Sequence, residues 1–314
     1  MEGLKQSPEE VQPQVVYEGI VAKVREVYHN LVKDVPIPNL IPLVKELINI
    51  EKKNPSDILG LAHSVTTDDY VPAHAVAVST ISMHIGMVMK INETELMDLG
   101  MAGLLHCIGR PIGVEKEMKL ETGHLKNKNE YVGIVEKEMA KIGVNGRVRE
   151  MVKSHHEAMG PNMYPFEPIK GATKLDNILC VVDTYCTLFY HPILKSTQYP
   201  YTALMWMIEN DGKPFESETL KILTDTVGIY PIGTWLELST GEMAEVVCPT
   251  PNNPMKPQVK VVFGPKWEWI TEPKIIDLSQ EVLIHIQRVV DETEIPKERG
   301  LAFPSGRDFA SSTK

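Results

Sequence analysis

Ile178-Leu-Cys-Val-Val-Asp183-Thr-Tyr-Cys-Thr-Leu188 is an apolar run with one carboxylate at its centre. It lies within a helical pattern over 173–190, the most apolar segment of the chain. A carboxylate inside such a helix is costly unless it is paired or bound to a cation. Asp183 is therefore the first candidate functional residue, and a helical core must surround it.

The helical texture extends outward from this segment. Further helices are expected over 71–91, 93–108, 129–142, 146–157, 201–209 and 217–227. Upstream, Val21, Val24, Val27, Tyr28 and Leu31 share one helix face. Pro36 and Pro38 break that pattern, and Leu40, Leu43, Val44, Leu47 and Ile48 resume it. Asn54-Pro55-Ser56 reads as a turn, with Ser56 as N-cap. After residue 228 the pattern changes. Trp235-Leu-Glu-Leu238 and Met243-Ala-Glu-Val-Val-Cys248 alternate around Ser239-Thr-Gly-Glu242, which predicts a hairpin. Gln258–Phe263 reads as a third strand, and 280–290 as a last helix. The expected organisation is a tail and helical segment over 1–54, a helical domain over 55–228, a β extension with a last helix over 229–296, and a polar tail over 297–314.

Composition narrows the function classes. The chain has 314 residues, 43% apolar and 24% charged, as expected of an ordinary globular protein. Its formal net charge of −10 argues against a binder of nucleic-acid polymers, but leaves room for a small anionic ligand in a local basic pocket. The start, Met1-Glu-Gly-Leu-Lys-Gln-Ser-Pro, has no apolar core of a signal peptide, and no uninterrupted apolar run reaches the roughly 18 residues that span a bilayer. A cytoplasmic location without a membrane span is expected. Cys107, Cys180, Cys186 and Cys248 show no C-x-x-C spacing and read as reduced thiols.

Polar residues recur where a plain core would not place them. His74 opens an apolar helix, His106 ends the run Met101-Ala-Gly-Leu-Leu105, and His155-His156-Glu157 closes another helix. Taken alone, each histidine is an ordinary capping or half-buried residue. Together with Asp183 they form a set of imidazoles and a carboxylate on separate helices, which suits Fe, Mn, Zn or Ni.

The order His74, His106-Cys107-Ile-Gly-Arg110, His155-His156-Glu157, Met163-Tyr164-Pro165, Asp183 resembles the HD-GYP family. The likeness continues into Gly228-Ile-Tyr-Pro-Ile-Gly-Thr-Trp-Leu-Glu-Leu-Ser-Thr-Gly-Glu242 and covers about 55–265. It implies a mainly α, HD-superfamily helical bundle with an N-terminal helical segment and a small β-hairpin or three-strand extension. It also implies two or three metal ions, which in active members cleave the bacterial second messenger cyclic di-GMP. Carried over residue by residue, His74, His106 and Asp183 would hold a first ion, and His155 and His156 a second. Tyr164, Pro165 and Lys195 would lie on the ligand-binding side.

The sequence departs from the family pattern at the chemistry. The family's bridging Asp is Cys107, a softer, single-atom donor. Its Lys is Arg110, which keeps the charge but not the ammonium geometry. Its middle His falls at Asn129, or is supplied by His124. Its Gly-Tyr-Pro begins with Met163. The expectation is a degenerate signalling protein, non-hydrolytic or weakly active, that binds a nucleotide of the cyclic di-GMP class or a protein partner. The alternative is an active metal-dependent phosphohydrolase. One or two divalent ions (Fe, Mn or Zn) are expected, or none if the site is fully degenerate. Partners in view are a cyclic dinucleotide, a diguanylate cyclase (GGDEF) or other signalling protein, and a second copy of the chain.

Overall fold

A computed structural model describes residues 12–33, 35–63, 70–109, 128–158, 169, 171–190, 200–211, 215–250, 253–291 and 294–295. Three helices come first: α1 (Pro13–Val32), α2 (Ile41–Lys53) and α3 (Pro55–Ala62). Next come α4 (Tyr70–Val88), α5 (Glu93–Leu105), α6 (Lys128–Ile142), α7 (Gly146–Ala158), α8 (Lys174–Tyr190), α9 (Pro200–Glu209) and α10 (Ser217–Val227).

Two helices are buried almost all round, so they occupy the centre of the bundle. In α4 every residue from Pro72 to Met83 is buried, and in α8 every residue from Ile178 to Leu188. Helix α4 packs against α1, α3, α5 and α8. By length and composition alone α4 could cross a bilayer, contrary to the expectation of no such run, because its Ser, Thr and His residues are few enough to leave it apolar overall. Most of that stretch is buried inside the bundle. The apolar faces of α1 and α2 join the same core, through residues such as Ile20, Val24, Val44 and Leu47.

Local chemistry sets the ends of the helices that carry the site. Before α8, Thr173 and Asp176 form a reciprocal cap: Thr173 N–H donates to Asp176 Oδ2 (2.8 Å), and Asp176 N–H donates to Thr173 Oγ1 (3.3 Å). Asn92 caps α5 by accepting from Glu95 N–H at 3.0 Å. At the other end of α5, Tyr28 Oη–H donates to the Leu104 carbonyl at 2.7 Å, satisfying one of the carbonyls a helix end leaves open. Ser56 is not a cap. Pro55 takes the first helical position of α3 and Asn54 is the flanking residue, a place suited to a proline that has no N–H to donate.

The C-terminal part is a five-stranded antiparallel sheet in the order β4-β3-β2-β1-β5. Its strands are β1 (Trp235–Leu238), β2 (Met243–Cys248), β3 (Gln258–Phe263), β4 (Trp269–Asp277) and β5 (Ile286–Val289). The expected hairpin is β1–β2, in the register Leu236↔Ala244, with Gly241 in the left-handed region at φ 83°. The expected last helix over 280–290 is not formed. Ile286–Val289 pairs with β1 instead, while Val282 and Leu283 stand 91% and 86% exposed. Periodicity alone does not separate a short apolar run into helix or strand, and here the open edge of β1 decides. Strand β4 was not anticipated, because Pro273 and its charged neighbours speak against a strand. The edge position of β4 tolerates them.

Candidate metal centre

Four helices of the bundle bring the set together. His74 lies in the second turn of α4, His106 directly follows α5, His155 lies in the last turn of α7, and Asp183 is at the middle of α8. All four are buried, and Asp183 and His106 are fully so. Asp183 Oδ1 lies 2.8 Å from His74 Nε2 and 3.1 Å from His106 Nε2, and Oδ2 lies 3.1 Å from His155 Nε2. Thr187, one helical turn on, donates its hydroxyl to Oδ1 at 3.2 Å. The carboxylate thus faces three imidazoles. His155, which the family pattern gives to a second ion, touches the same carboxylate as the two first-ion histidines.

The imidazole of His106 is oriented from behind. Its Nδ1–H donates to the Gly103 carbonyl at 2.7 Å, which turns the Nε2 lone pair toward Asp183 and His74. This is the arrangement of a metal-ligating histidine, whose far nitrogen is fixed by a backbone acceptor. Cys107 is fully buried beside it, with Sγ 3.1 Å from His106 Nε2. Donor atoms of His74, His106 and Cys107 lie within 4.8 Å of one another. The donor set fits a divalent ion. A buried carboxylate with three imidazoles needs a positive charge, and an ion or an imidazolium can supply it.

With no ion, the proton does that work. Burial disfavours charge on His106, but the neighbouring Cys107 and Asp183 prevail and push its pKa up to about 10. Burial likewise opposes ionisation of Asp183, and the imidazoles of His106, His155 and His74 overcome it and hold its carboxyl well below the ordinary range. Burial pushes the Cys180 thiol up to about 12 and raises the Cys186 thiol as well. None of the four cysteines forms a disulfide.

His156 is buried and meets His155 edge-on, with ring centroids 5.7 Å apart. Arg110, His124, Tyr164, Pro165 and Lys195 lie outside the described residues, as does the side chain of Asn129. Three contributors were not singled out from the sequence. Tyr70 stacks on His74 at 5.2 Å, and its place four residues earlier on the same helix was the available signal. Thr187 stands in the same relation to Asp183. Asp98 accepts from Asn145 Nδ2 (2.6 Å) and Arg147 Nη1 (3.2 Å), tying α5 to the start of α7 and so His106 to His155.

Comparison with known proteins agrees with this geometry. Residues 71–188 match the HD domain, and they span His74, His106, His155 and Asp183. The likeness to the HD domain thus lies over the centre of the helical bundle. Residues 235–298 match the KOW domain associated with HD domain, which covers the five-stranded sheet. Members of the HD family are metal-dependent, and the matched residues here include a buried His/Cys group, His74, His106 and Cys107, that could hold an ion. The chain is 24% identical over 247 residues, 76% of its length, to cyclic di-GMP phosphodiesterase PA4108 of Pseudomonas aeruginosa. It is 21% identical over 244 residues, 72% of its length, to cyclic di-GMP phosphodiesterase PdeB of Borreliella burgdorferi. It spans only 59% and 62% of those two proteins. The solved structure of Bd1817, a HDG"Y"P protein from Bdellovibrio bacteriovorus, aligns with a TM-score of 0.49 at 15% identity, covering 70% of this chain and 74% of that one. The two curated relatives are named as cyclic di-GMP phosphodiesterases, and residues 71–188 of this chain match the HD domain.

Proposed function

We propose that this HD domain is a signalling module that binds a cyclic dinucleotide of the cyclic di-GMP class at a metal-holding site, with little or no hydrolysis. One observation carries the reading. His74, His106 and Asp183 remain assembled at 2.8–3.1 Å, while a thiol occupies the place beside His106 where the family has a carboxylate. A carboxylate can bridge two ions through two oxygens, whereas a thiolate offers a single soft atom. The retained residues can hold an ion that neutralises phosphate charge. Losing a braced two-ion geometry would cost several powers of ten in rate, at about 1.4 kcal/mol per tenfold.

The residues beyond the metal fit the same role. Arg110 supplies a guanidinium for a phosphate, and Lys195 and Tyr164-Pro165 are the proposed ligand-side residues. A cytoplasmic location, and a GGDEF-type or other signalling partner or a second copy, belong to this proposal. A second reading, an active phosphodiesterase, is favoured by the activity in the names of the two relatives and by the three imidazoles around Asp183.

The test is calorimetric titration of cyclic di-GMP onto metal-loaded protein, with the mixture then analysed for linear product. Saturable binding without product is the expected result. Sustained turnover would install the phosphodiesterase reading instead. Neither binding nor turnover would remove the nucleotide from the account.

A further inference from the structure

The environment of His106 Nε2 is overcrowded for hydrogen bonding alone. Its ring partner Nδ1–H is committed to the Gly103 carbonyl, so a neutral His106 offers one lone pair at Nε2. Three polar atoms nevertheless lie 3.1 Å from it: His74 Nε2, Asp183 Oδ1 and Cys107 Sγ. One lone pair, or one N–H when the ring is protonated, cannot serve three neighbours, whereas a cation among them would turn the crowded contacts into bonds. In a tetrahedral site with bonds of 2.0–2.3 Å, neighbouring donor atoms lie roughly 3.3–3.6 Å apart. The His74–His106, His74–Asp183, His106–Asp183 and His106–Cys107 separations of 2.8–3.1 Å need to open by only a few tenths of an ångström. Closing the site brings Cys107 Sγ toward His74 and Asp183 from farther off, with the His74 and Cys107 donors within 4.8 Å of each other.

We propose that Cys107 is itself a metal ligand, so that His74, His106, Cys107 and Asp183 form a single-ion site with thiolate coordination that selects Zn2+ over hard ions. The inference rests on the metal-holding reading above and deepens it. Two imidazoles, a thiolate and a carboxylate match the donor types that tetrahedral zinc takes, and the soft sulfur disfavours Mg2+ and Mn2+. Binding releases the Cys107 thiol proton and the Nε2 proton of the His106 imidazolium to solvent. The site's identity then differs from that of a carboxylate-bridged pair of ions by one residue.

The experiment uses Co2+ as a spectroscopic probe on the metal-free full chain. Wild type should take up one equivalent and develop a near-ultraviolet sulfur-to-cobalt charge-transfer absorption. Zn2+ should abolish that absorption and excess Mg2+ should not. Cys107→Ser should lose the absorption while Cys180, Cys186 and Cys248 remain, and Cys107→Asp should bind Co2+ without it. Circular dichroism of both variants checks that they fold. Wild type that binds Co2+ without the absorption would overturn thiolate ligation but leave the metal reading standing. Wild type that binds no Co2+ would overturn both.

Discussion

Asp183 organises the site through charge. In the metal-free protein its carboxylate is balanced by the His106 imidazolium, and this makes stability depend on pH. A free imidazole titrates near 6.5, and the folded value is about 10. The contribution of a raised pKa is fully present below about pH 6.5 and is lost as the pH rises through about 10. Asp183 acts in the opposite direction, since its lowered pKa adds stability above about pH 4 that is lost as the pH falls. Thermal midpoints of metal-free protein should therefore decline between about pH 6.5 and 10. Asp183→Asn should flatten that decline, and an undiminished slope in the variant would assign it to other groups. Asp183 could be read from sequence because a lone carboxylate in an apolar helix demands a partner. Thr187 and Tyr70 carry only the weaker signal of standing one helical turn from Asp183 and His74, because a hydroxyl or an aromatic ring in a buried helix demands much less.

At the scale of elements, the distance between α4 and α5 determines whether His74 and His106 meet. At Gly103 the backbone of α5 packs directly against that of α4. A Cβ there would lie 2.5 Å from Ser79 Cα and 2.8 Å from Ser79 N, both backbone atoms that cannot turn aside. Gly103→Ala should destabilise the fold by about 1–3 kcal/mol, the cost of overpacking, and weaken metal uptake as the helices part. Gly133 in α6 has nothing within 4 Å of its added Cβ, so Gly133→Ala should stabilise by up to about 1 kcal/mol through helix propensity. Denaturant melts with metal titrations check both, and equal effects of the two substitutions would contradict the packing argument. The helices themselves were legible because each has a long apolar face and most ends carry proline, glycine or a cap. The edge strands were not. Ile286–Val289 and Trp269–Asp277 are strands only because β1 and β3 offer them hydrogen-bonding edges, a tertiary cause that local pattern does not record.

The whole molecule has two kinds of core. The helical bundle is one large apolar cluster built from α1 through α10, and the sheet has its own clusters on its two faces, around Val246 and Val261 and around Trp235 and Phe263. The His/Asp cluster belongs wholly to the bundle, where a buried charge is most expensive and a compensating cation stabilises most. The chain order of the proposed ligands, from His74 to Asp183 across more than a hundred residues, was readable only as a family pattern. Their convergence to within about 3 Å is what the fold adds. On the proposed reading, this convergence serves to hold an ion. Elemental analysis of protein purified without a histidine tag tests it most directly. Wild type should carry about one equivalent of a divalent transition metal per chain, and Asp183→Ala should lose it. A folded wild type without metal, which takes up none when zinc, iron or manganese is supplied, would contradict it.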